Sequence, residues 1–433
     1  MNVLARTFNV LRTVRVAGCK RRRRASVSSL ALLLAIVALA ALAAVSTTSA
    51  ADPPPDPATA LERALADRPD DAVLAYLLAL FRARAGNRDG ALDALERVLE
   101  HGKGFLPPVD LFDALHDDRR FAVLRARFEK RLPVKVDGRV AYTLPDRRLI
   151  PEGIAYDPIA RSLYVGSIAR NAIYRVERGG TLRKLSGVAD GLDAVLGLAV
   201  DAKTRTLYAV STSALTERGR ANPRNRVHAY DLARGSLQRT IDVPGARQLN
   251  DIAVAPDGTL LVTDSAGGGV WHVDPSRATA TALVPLGSAN GANGIAVAPG
   301  GDVAYVGAAR RPVRVELATG TVSPLQPPGG ENAAGIDGLY WHDGALIGIQ
   351  NVTTPARVIR IALAGDGRSI TAIETLQSHH QAAFAEPTTA AIAPDGLYVL
   401  ARTHVTQFND QGTIDRPETL TRPQILRVPL PRR

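Results

Sequence analysis

The sequence predicts an all-β fold, a six-bladed β-propeller preceded by a small α-helical segment. Three observations lead to this prediction. From residue 139 onward, short stretches of alternating apolar and polar residues are separated by turn dipeptides such as Asp257–Gly258. An apolar anchor residue recurs roughly every 45 residues, a period typical of propeller blades. The 433-residue chain also contains 37 glycines and 28 prolines, which suits an architecture with many turns.

Each repeat begins at its anchor with a short strand, continues through a turn into a second strand, and ends in two further strand-like pieces. The second strands include "LLVTDS" and "AYVGA". Four strands per repeat, six times over, indicate six blades. The stretch "VAYTLP" near residues 140–145 is expected to complete the last blade, which would close the ring and remove an exposed sheet edge. The six anchors are Ile154, Leu198, Ile252, Ile295, Leu339 and Ala390.

A Pro-rich linker at residues 51–57 and a helical segment at residues 58–132 precede the propeller, which covers residues 139–433. In the helical segment, apolar residues recur three and four positions apart. Its middle part resembles a single tetratricopeptide repeat. Because such repeats need about three copies to bury a core, we interpret the segment as a cap on the propeller; the alternative is a docking surface for a protein partner. The repeat-like positions are Leu78, Ala79, Gly86, Ala91 and Leu95.

Residues 1–50 have the layout of an export signal: a basic run at 20–24, an apolar stretch at 29–45 and small residues around Ala50. We therefore expect a periplasmic or secreted protein, and contact with a membrane only if this segment remains as an uncleaved anchor. Cleavage would remove Cys19, the single cysteine. Eight Lys and Arg residues in this segment account for most of the net charge of +11, so nucleic-acid binding is not expected.

The position two residues before each anchor is aligned in all six repeats. Because the inner strands of a propeller all begin at the mouth of the central channel, we expect these side chains to form a ring. Four of them are oxygen ligands, and calcium (Ca²⁺) binds six to eight oxygens from carboxylates, amide carbonyls and water. The prediction is a calcium site, or a site for another oxygen-ligated divalent ion, formed by Glu152, Asn250, Asn293 and Asp337. The alternative for each residue is a turn that bonds its own backbone. The ring positions are Glu152, Leu196, Asn250, Asn293, Asp337 and Thr388.

The units "PEGIAYD", "LNDIAVAPDG", "ANGIAVAPGG" and "IDGLYW" resemble the calcium-binding propellers of the regucalcin and gluconolactonase family, over residues 139–433. The resemblance implies that Glu152, Asn293 and Asp337 bind the metal and that Asn250 lies beside the substrate. The chain departs from related propellers at two points. Leu196 stands where paraoxonases, more remote relatives, have a histidine, and Gln248 stands where gluconolactonases commonly have an arginine.

A second, buried calcium of the paraoxonase type is not expected. That site needs an acid directly after the first-blade glutamate, where this chain has Gly153, and Asp251 alone is insufficient.

These features favour a calcium-dependent hydrolase that opens a lactone or related ester. Asp337 would be both metal ligand and general base. Because no "GxSxG" nucleophile motif occurs, direct attack by water is expected. The alternative is a non-catalytic propeller with a structural ion and the helical segment as adaptor. Two insertions, residues 212–226 and 403–422, are expected to act as lids. The expected substrate-contacting residues are Asn250, His379, His380 and His404.

Overall fold

The computed structural model describes residues 56–216, 222–351, 355–409 and 411–431. The export signal predicted at residues 1–50, with Cys19, lies outside these ranges. Within them, no helix is both long enough and apolar enough to span a lipid bilayer.

From residue 56 onward, where the structure describes the chain, four α-helices precede the strands. Each begins at a polar residue whose side-chain oxygen accepts a hydrogen bond from a backbone N–H of the first turn, as helix N-termini require; these residues are Asp56, Asp71, Asn87 and Asp118. The apolar faces enclose one core that contains the rings of Tyr76, Phe105 and Phe112. The resemblance to a tetratricopeptide repeat remains a prediction. The helices are α1 (Pro57–Asp67), α2 (Ala72–Arg84), α3 (Arg88–His101) and α4 (Arg119–Lys130).

Six four-stranded antiparallel sheets follow, and they are the blades of the predicted propeller. The inner strands of successive blades contact one another around the axis. Blades 1 and 2 contain β2 (Pro151–Asp157), β3 (Ser162–Ser167), β4 (Ala172–Val176), β5 (Leu182–Lys184), β6 (Ala194–Asp201), β7 (Thr206–Thr212), β8 (Asn225–Asp231) and β9 (Ser236–Asp242). Blades 3 and 4 contain β10 (Leu249–Val254), β11 (Leu260–Asp264), β12 (Gly269–Asp274), β13 (Thr279–Val284), β14 (Ile295–Val297), β15 (Val303–Val306), β16 (Val313–Glu316) and β17 (Thr321–Pro324). Blades 5 and 6 contain β18 (Ile336–His342), β19 (Ala345–Gln350), β20 (Arg357–Leu363), β21 (Ile370–Ser378), β22 (Ala390–Ala393), β23 (Gly396–Arg402), β24 (Gln424–Val428) and β1 (Arg139–Thr143).

The ring closes by pairing the first strand with the last. Strand β1 lies antiparallel to β24, with Arg139 opposite Arg427, and forms the outer strand of blade 6. The predicted role of "VAYTLP" is confirmed for this strand. Apolar clusters fill the spaces between neighbouring sheets; between blades 4 and 5, for example, Tyr305 stacks on Trp341 with ring centroids 5.8 Å apart.

The ring positions coincide with irregularities in the ladder between the first and second strands. In blades 1, 2, 3 and 5, the register shifts across the two residues that precede the anchor. A bulge of this kind releases residues from the regular ladder and changes the direction of their side chains. Asn250 and Asp251 lie at such a shift, between Leu249 and Ile252. In these four blades the ring position therefore lies in a bulge at the start of the inner strand.

Glycines directly after the ring positions allow the inner strands to approach closely. A Cβ atom on Gly153 would lie 1.8 Å from the carbonyl oxygen of Leu196, and one on Gly294 would lie 2.4 Å from that of Asp337. In both cases the neighbour is the backbone of the ring residue in the next blade. The ring residues are thus held together by backbone packing that only glycine permits.

The substitution Gly153→Ala is expected to destabilise the propeller by about 3 kcal/mol, because the new methyl group overlaps a backbone carbonyl that cannot rotate away. Gly365→Ala is the matched control, since no atom lies within 4 Å of the Cβ it would add and the residue lacks a positive φ. Urea denaturation of both variants measures the difference. Equal stability of the two variants would contradict this account of the glycines.

The helical segment is docked on the propeller. Asp71 of the α1–α2 connection forms ion pairs with Arg310 at 2.7 Å and Arg311 at 3.2 Å. The N–H of Lys103 donates to the carbonyl of Gly330 at 3.0 Å. The contacted propeller loops join β15 to β16 and β17 to β18, so they lie at the end of blades 4 and 5 where inner strands begin. The helices therefore pack beside the channel mouth.

Candidate metal site at the channel mouth

All six ring residues are buried, including the two acids. Glu152 and Asp337 expose only 7% and 6% of their surface, and Asn250 and Asn293 expose 7% and 8%. Burial of a carboxylate is unfavourable unless it is paired with a positive charge or is hydrogen-bonded. The ring therefore buries two carboxylates where the inner strands meet, and each of them needs hydrogen bonds or a positive charge nearby.

Hydrogen bonds hold the predicted ligands to their surroundings. The hydroxyl of Thr388 donates to the backbone carbonyl of Glu152 at 3.4 Å. The amide Nδ2 of Asn250 donates to the hydroxyl of Ser265 at 2.8 Å. That hydroxyl donates to the carbonyl of Ala292 at 2.6 Å, directly before Asn293 in the chain. These bonds join blade 6 to blade 1 and blade 3 to blade 4 at the mouth of the channel.

Two of the four predicted ligands have buried oxygen atoms without a hydrogen-bond partner among the described residues. These atoms are Oε2 of Glu152 and Oδ1 of Asn293. An unsatisfied buried acceptor costs about 1–3 kcal/mol. Both atoms are hard oxygen donors, the type of ligand that calcium prefers. The residues present therefore fit a calcium ion, which would give both oxygens a partner.

The electrostatics of the ring also favour a cation. Burial, and then the charge of Asp337, raise the pKa of Glu152 well above its usual value. The other charged side chains that shift this pKa, Asp251 and Glu386, are also acids. Burial raises the pKa of Asp337 to about 7, although hydrogen bonds from Asn351 and Asn293 act in the opposite direction. The acids must take up protons or a cation to remain buried.

Asp251, to which the sequence analysis gave no role, belongs to the same group of acids. Its carboxylate accepts hydrogen bonds from the N–H groups of Ile252 at 2.9 Å and Ile295 at 3.2 Å, so it ties blade 3 to blade 4. Burial raises its pKa to about 7. The sequence could have distinguished Asp251 by its aligned position, because four other blades have a glycine directly after the ring residue. Those glycines are Gly153, Gly197, Gly294 and Gly338.

Two further residues beside the ring were not anticipated. Asn351 follows strand β19, and its Nδ2 donates both to Oδ2 of Asp337 and to the carbonyl of Pro387. Glu386, in the loop before β22, accepts a hydrogen bond from the N–H of Thr406 at 2.7 Å. Both lie in loops where the repeat pattern ends, so no aligned position in the sequence distinguished them.

The predicted substrate-contacting histidines lie in two places. Nε2 of His379 and Nε2 of His380 lie 2.9 and 3.1 Å from Glu129 of helix α4, at the end of the outer strand of blade 5. His404 has a left-handed backbone (φ 60°), and its Nε2 lies 3.0 Å from the hydroxyl of Thr421. Contact of these histidines with a substrate remains a prediction.

The two insertions expected to act as lids meet over blades 1 and 2. Phe408 and Leu420 of one insertion pack with Leu196, and Leu215 of the other packs against the same cluster. We call these four residues the lid cluster. Leu196, the ring position of blade 2, is therefore covered by apolar side chains. Since blades 1 and 2 lie opposite blades 4 and 5, the lid cluster and the helical segment flank the mouth from opposite sides.

Several solved structures are similar to this chain at low identity. No protein-family model and no curated protein matches the sequence. The PQQ-bound aldose sugar dehydrogenase of Streptomyces coelicolor is 18% identical with a TM-score of 0.47, over 68% of this chain and 99% of that one. A gluconolactonase of Xanthomonas campestris is 17% identical with a TM-score of 0.45, over 68% and 97%. Virginiamycin B lyase of Staphylococcus aureus is 15% identical with a TM-score of 0.44, over 60% and 81%. The propeller architecture rests on the six sheets themselves.

Proposed function

We propose that the protein is a calcium-dependent hydrolase that opens a lactone or a related ester at the mouth of the propeller. The observation that supports this proposal is the group of buried carboxylate and amide oxygens at one aligned position, whose charged neighbours are acids. When bound, calcium would act as a Lewis acid that polarises a carbonyl oxygen. Glu152, Asn250, Asn293 and Asp337 would hold it.

Within this proposal, Asp337 accepts the proton of the attacking water. The hydrogen bond that Asn351 donates to Asp337 orients the carboxylate. A bound cation favours the ionised form that a base requires. The lid cluster and the helical segment limit the access of bulk water to the mouth from two sides.

The proposed substrate is a small molecule, and the proposed location is the periplasm or the exterior of the cell. The location rests on the basic and apolar pattern of residues 1–50. Fractionation of expressing cells, with sequencing of the N-terminus of the recovered protein, tests this point. An intact N-terminus in the membrane fraction would favour the anchor alternative.

Two measurements test the proposed reaction. Metal analysis after dialysis against calcium buffer is expected to find one calcium ion bound at the ring. A panel of aliphatic and sugar lactones, assayed with a chelator and again after calcium is restored, is expected to show hydrolysis only with calcium. Bound calcium without hydrolysis of any lactone would favour the non-catalytic alternative. Absence of calcium would contradict the metal site itself.

A further inference from the structure

A second group of potential metal ligands lies outside the ring, where the helical segment meets blade 5. Glu129 is in the last turn of α4, and His379 and His380 directly follow strand β21. One ligand atom from each of the three side chains lies within 4.8 Å of the others. The backbone N–H of Ser378 donates to the carbonyl of Lys135 at 2.7 Å. The segment that connects helix α4 to strand β1 is therefore bound to blade 5 at the same place.

The spacing of these atoms is close to that of ligands around a tetrahedral ion. Zinc binds histidine nitrogens and carboxylate oxygens at about 2.0 Å, which separates neighbouring ligand atoms by roughly 3.3 Å. The Nε2 atoms of His379 and His380 lie 2.9 and 3.1 Å from the same oxygen, Oε1 of Glu129. Small movements of three side chains would therefore admit an ion.

His380 is also oriented to bind a metal through Nε2. Nδ1 of His380 lies 2.9 Å from the hydroxyl of Ser378, an outer contact of the kind that fixes the tautomer and orientation of a metal-binding imidazole. The two imidazole rings have centroids only 4.1 Å apart, so two positive charges would repel each other. The neutral imidazole is the form that binds a metal.

We propose that Glu129, His379 and His380 bind one zinc ion, or a similar divalent transition-metal ion, that joins the helical segment to the propeller. Water would occupy the remaining coordination position. The ion would link residues 250 positions apart in the sequence, in a region where the described chain has no cysteine for a disulfide. This site is independent of the ring, because it uses nitrogen ligands and lies at the outer strand of the blade.

Cobalt binding to the full chain tests the proposal. The protein is stripped of metal, supplied with calcium to fill the ring, and titrated with Co²⁺. We expect one equivalent to give the d–d absorption of a tetrahedral ion without a thiolate charge-transfer band, and zinc to displace it. Loss of a ligand in His379→Ala or Glu129→Gln should weaken binding by about a hundredfold or more. His404→Ala and His342→Ala, which change histidines elsewhere, should bind as the wild type does.

A second readout separates metal binding from a structural role of the side chains. Zinc is expected to raise the unfolding temperature of the wild-type chain, because it binds only the folded form. The rise should be absent in both ligand variants, even if their metal-free unfolding temperatures differ from that of the wild type. Equal cobalt binding by wild type and ligand variants would overturn the proposal. The proposal would also be overturned if the wild-type protein bound no tetrahedral cobalt. The three side chains would then form only a hydrogen-bonded His–Glu–His contact.

Discussion

Asp337→Asn is expected to lower lactone turnover by roughly two to four orders of magnitude, the range for loss of a general base. The asparagine keeps an oxygen for calcium but has no carboxylate to accept a proton from water. Its shape is nearly the same, and the contact with Asn351 lies within reach of the new amide. The defect should therefore appear in kcat, with the fold unchanged.

The matched control is Asp343→Asn, at the turn of the same β18–β19 hairpin. Asp343 is half-exposed and has a positive φ of 45°, a conformation that asparagine tolerates. This variant should retain wild-type turnover. Calcium content must be measured for both variants, because loss of the ion alone would also stop the reaction. Full activity of Asp337→Asn with calcium bound would remove Asp337 from the role of base.

Glu152→Gln is expected to weaken calcium binding by about a hundredfold, because calcium affinity depends strongly on the number of charged ligands. The amide oxygen still reaches the site, but the negative charge is lost. Isothermal titration of the chelator-treated protein with calcium measures the change. Glu177→Gln, on the surface of the same blade, should bind calcium as the wild type does.

The same substitution should act on stability in opposite directions with and without the ion. Without calcium, Glu152 is buried beside Asp337, and both burial and that charge raise its pKa, so ionisation at neutral pH destabilises the fold. The glutamine removes this cost, and the variant should unfold at a higher temperature than the wild type in chelator. With saturating calcium, the wild type should be the more stable protein. Absence of this reversal would show that Glu152 does not bind the ion.

The docking of the helices bears on the choice between an enzyme cap and an adaptor for a partner. Asp71 and Lys103 are engaged with the loops of blades 4 and 5, and Ala309 of the propeller packs into the helical core. This face of the helical segment is therefore occupied by the propeller, as the interpretation of the segment as a cap predicts.

The repeating features of this protein could be predicted from its sequence. Alternating strands and Asp–Gly turns are local signals, and their sixfold recurrence indicated the blades and the closing strand. Aligned positions in equivalent blades converge by symmetry, so the burial of Glu152, Asn250, Asn293 and Asp337 together at one end of the channel followed from the alignment. The calcium ion and the reaction assigned to these residues remain proposals.

The tertiary structure alone decided the contacts that do not repeat. Asp251 lies beside the ring at a bulge, and its aligned position did not show which groups its carboxylate contacts. Asn351 and Glu386 lie beside the ring in two loops, and no equivalent position in another blade marks them. Phe408 and Leu420 cover Leu196 because two insertions from different blades meet. Glu129 faces His379 across 250 residues of chain only because the helices fold back onto blade 5. Local sequence patterns encode strands, turns and caps, whereas contacts between distant, irregular segments depend on packing that has no period in the sequence.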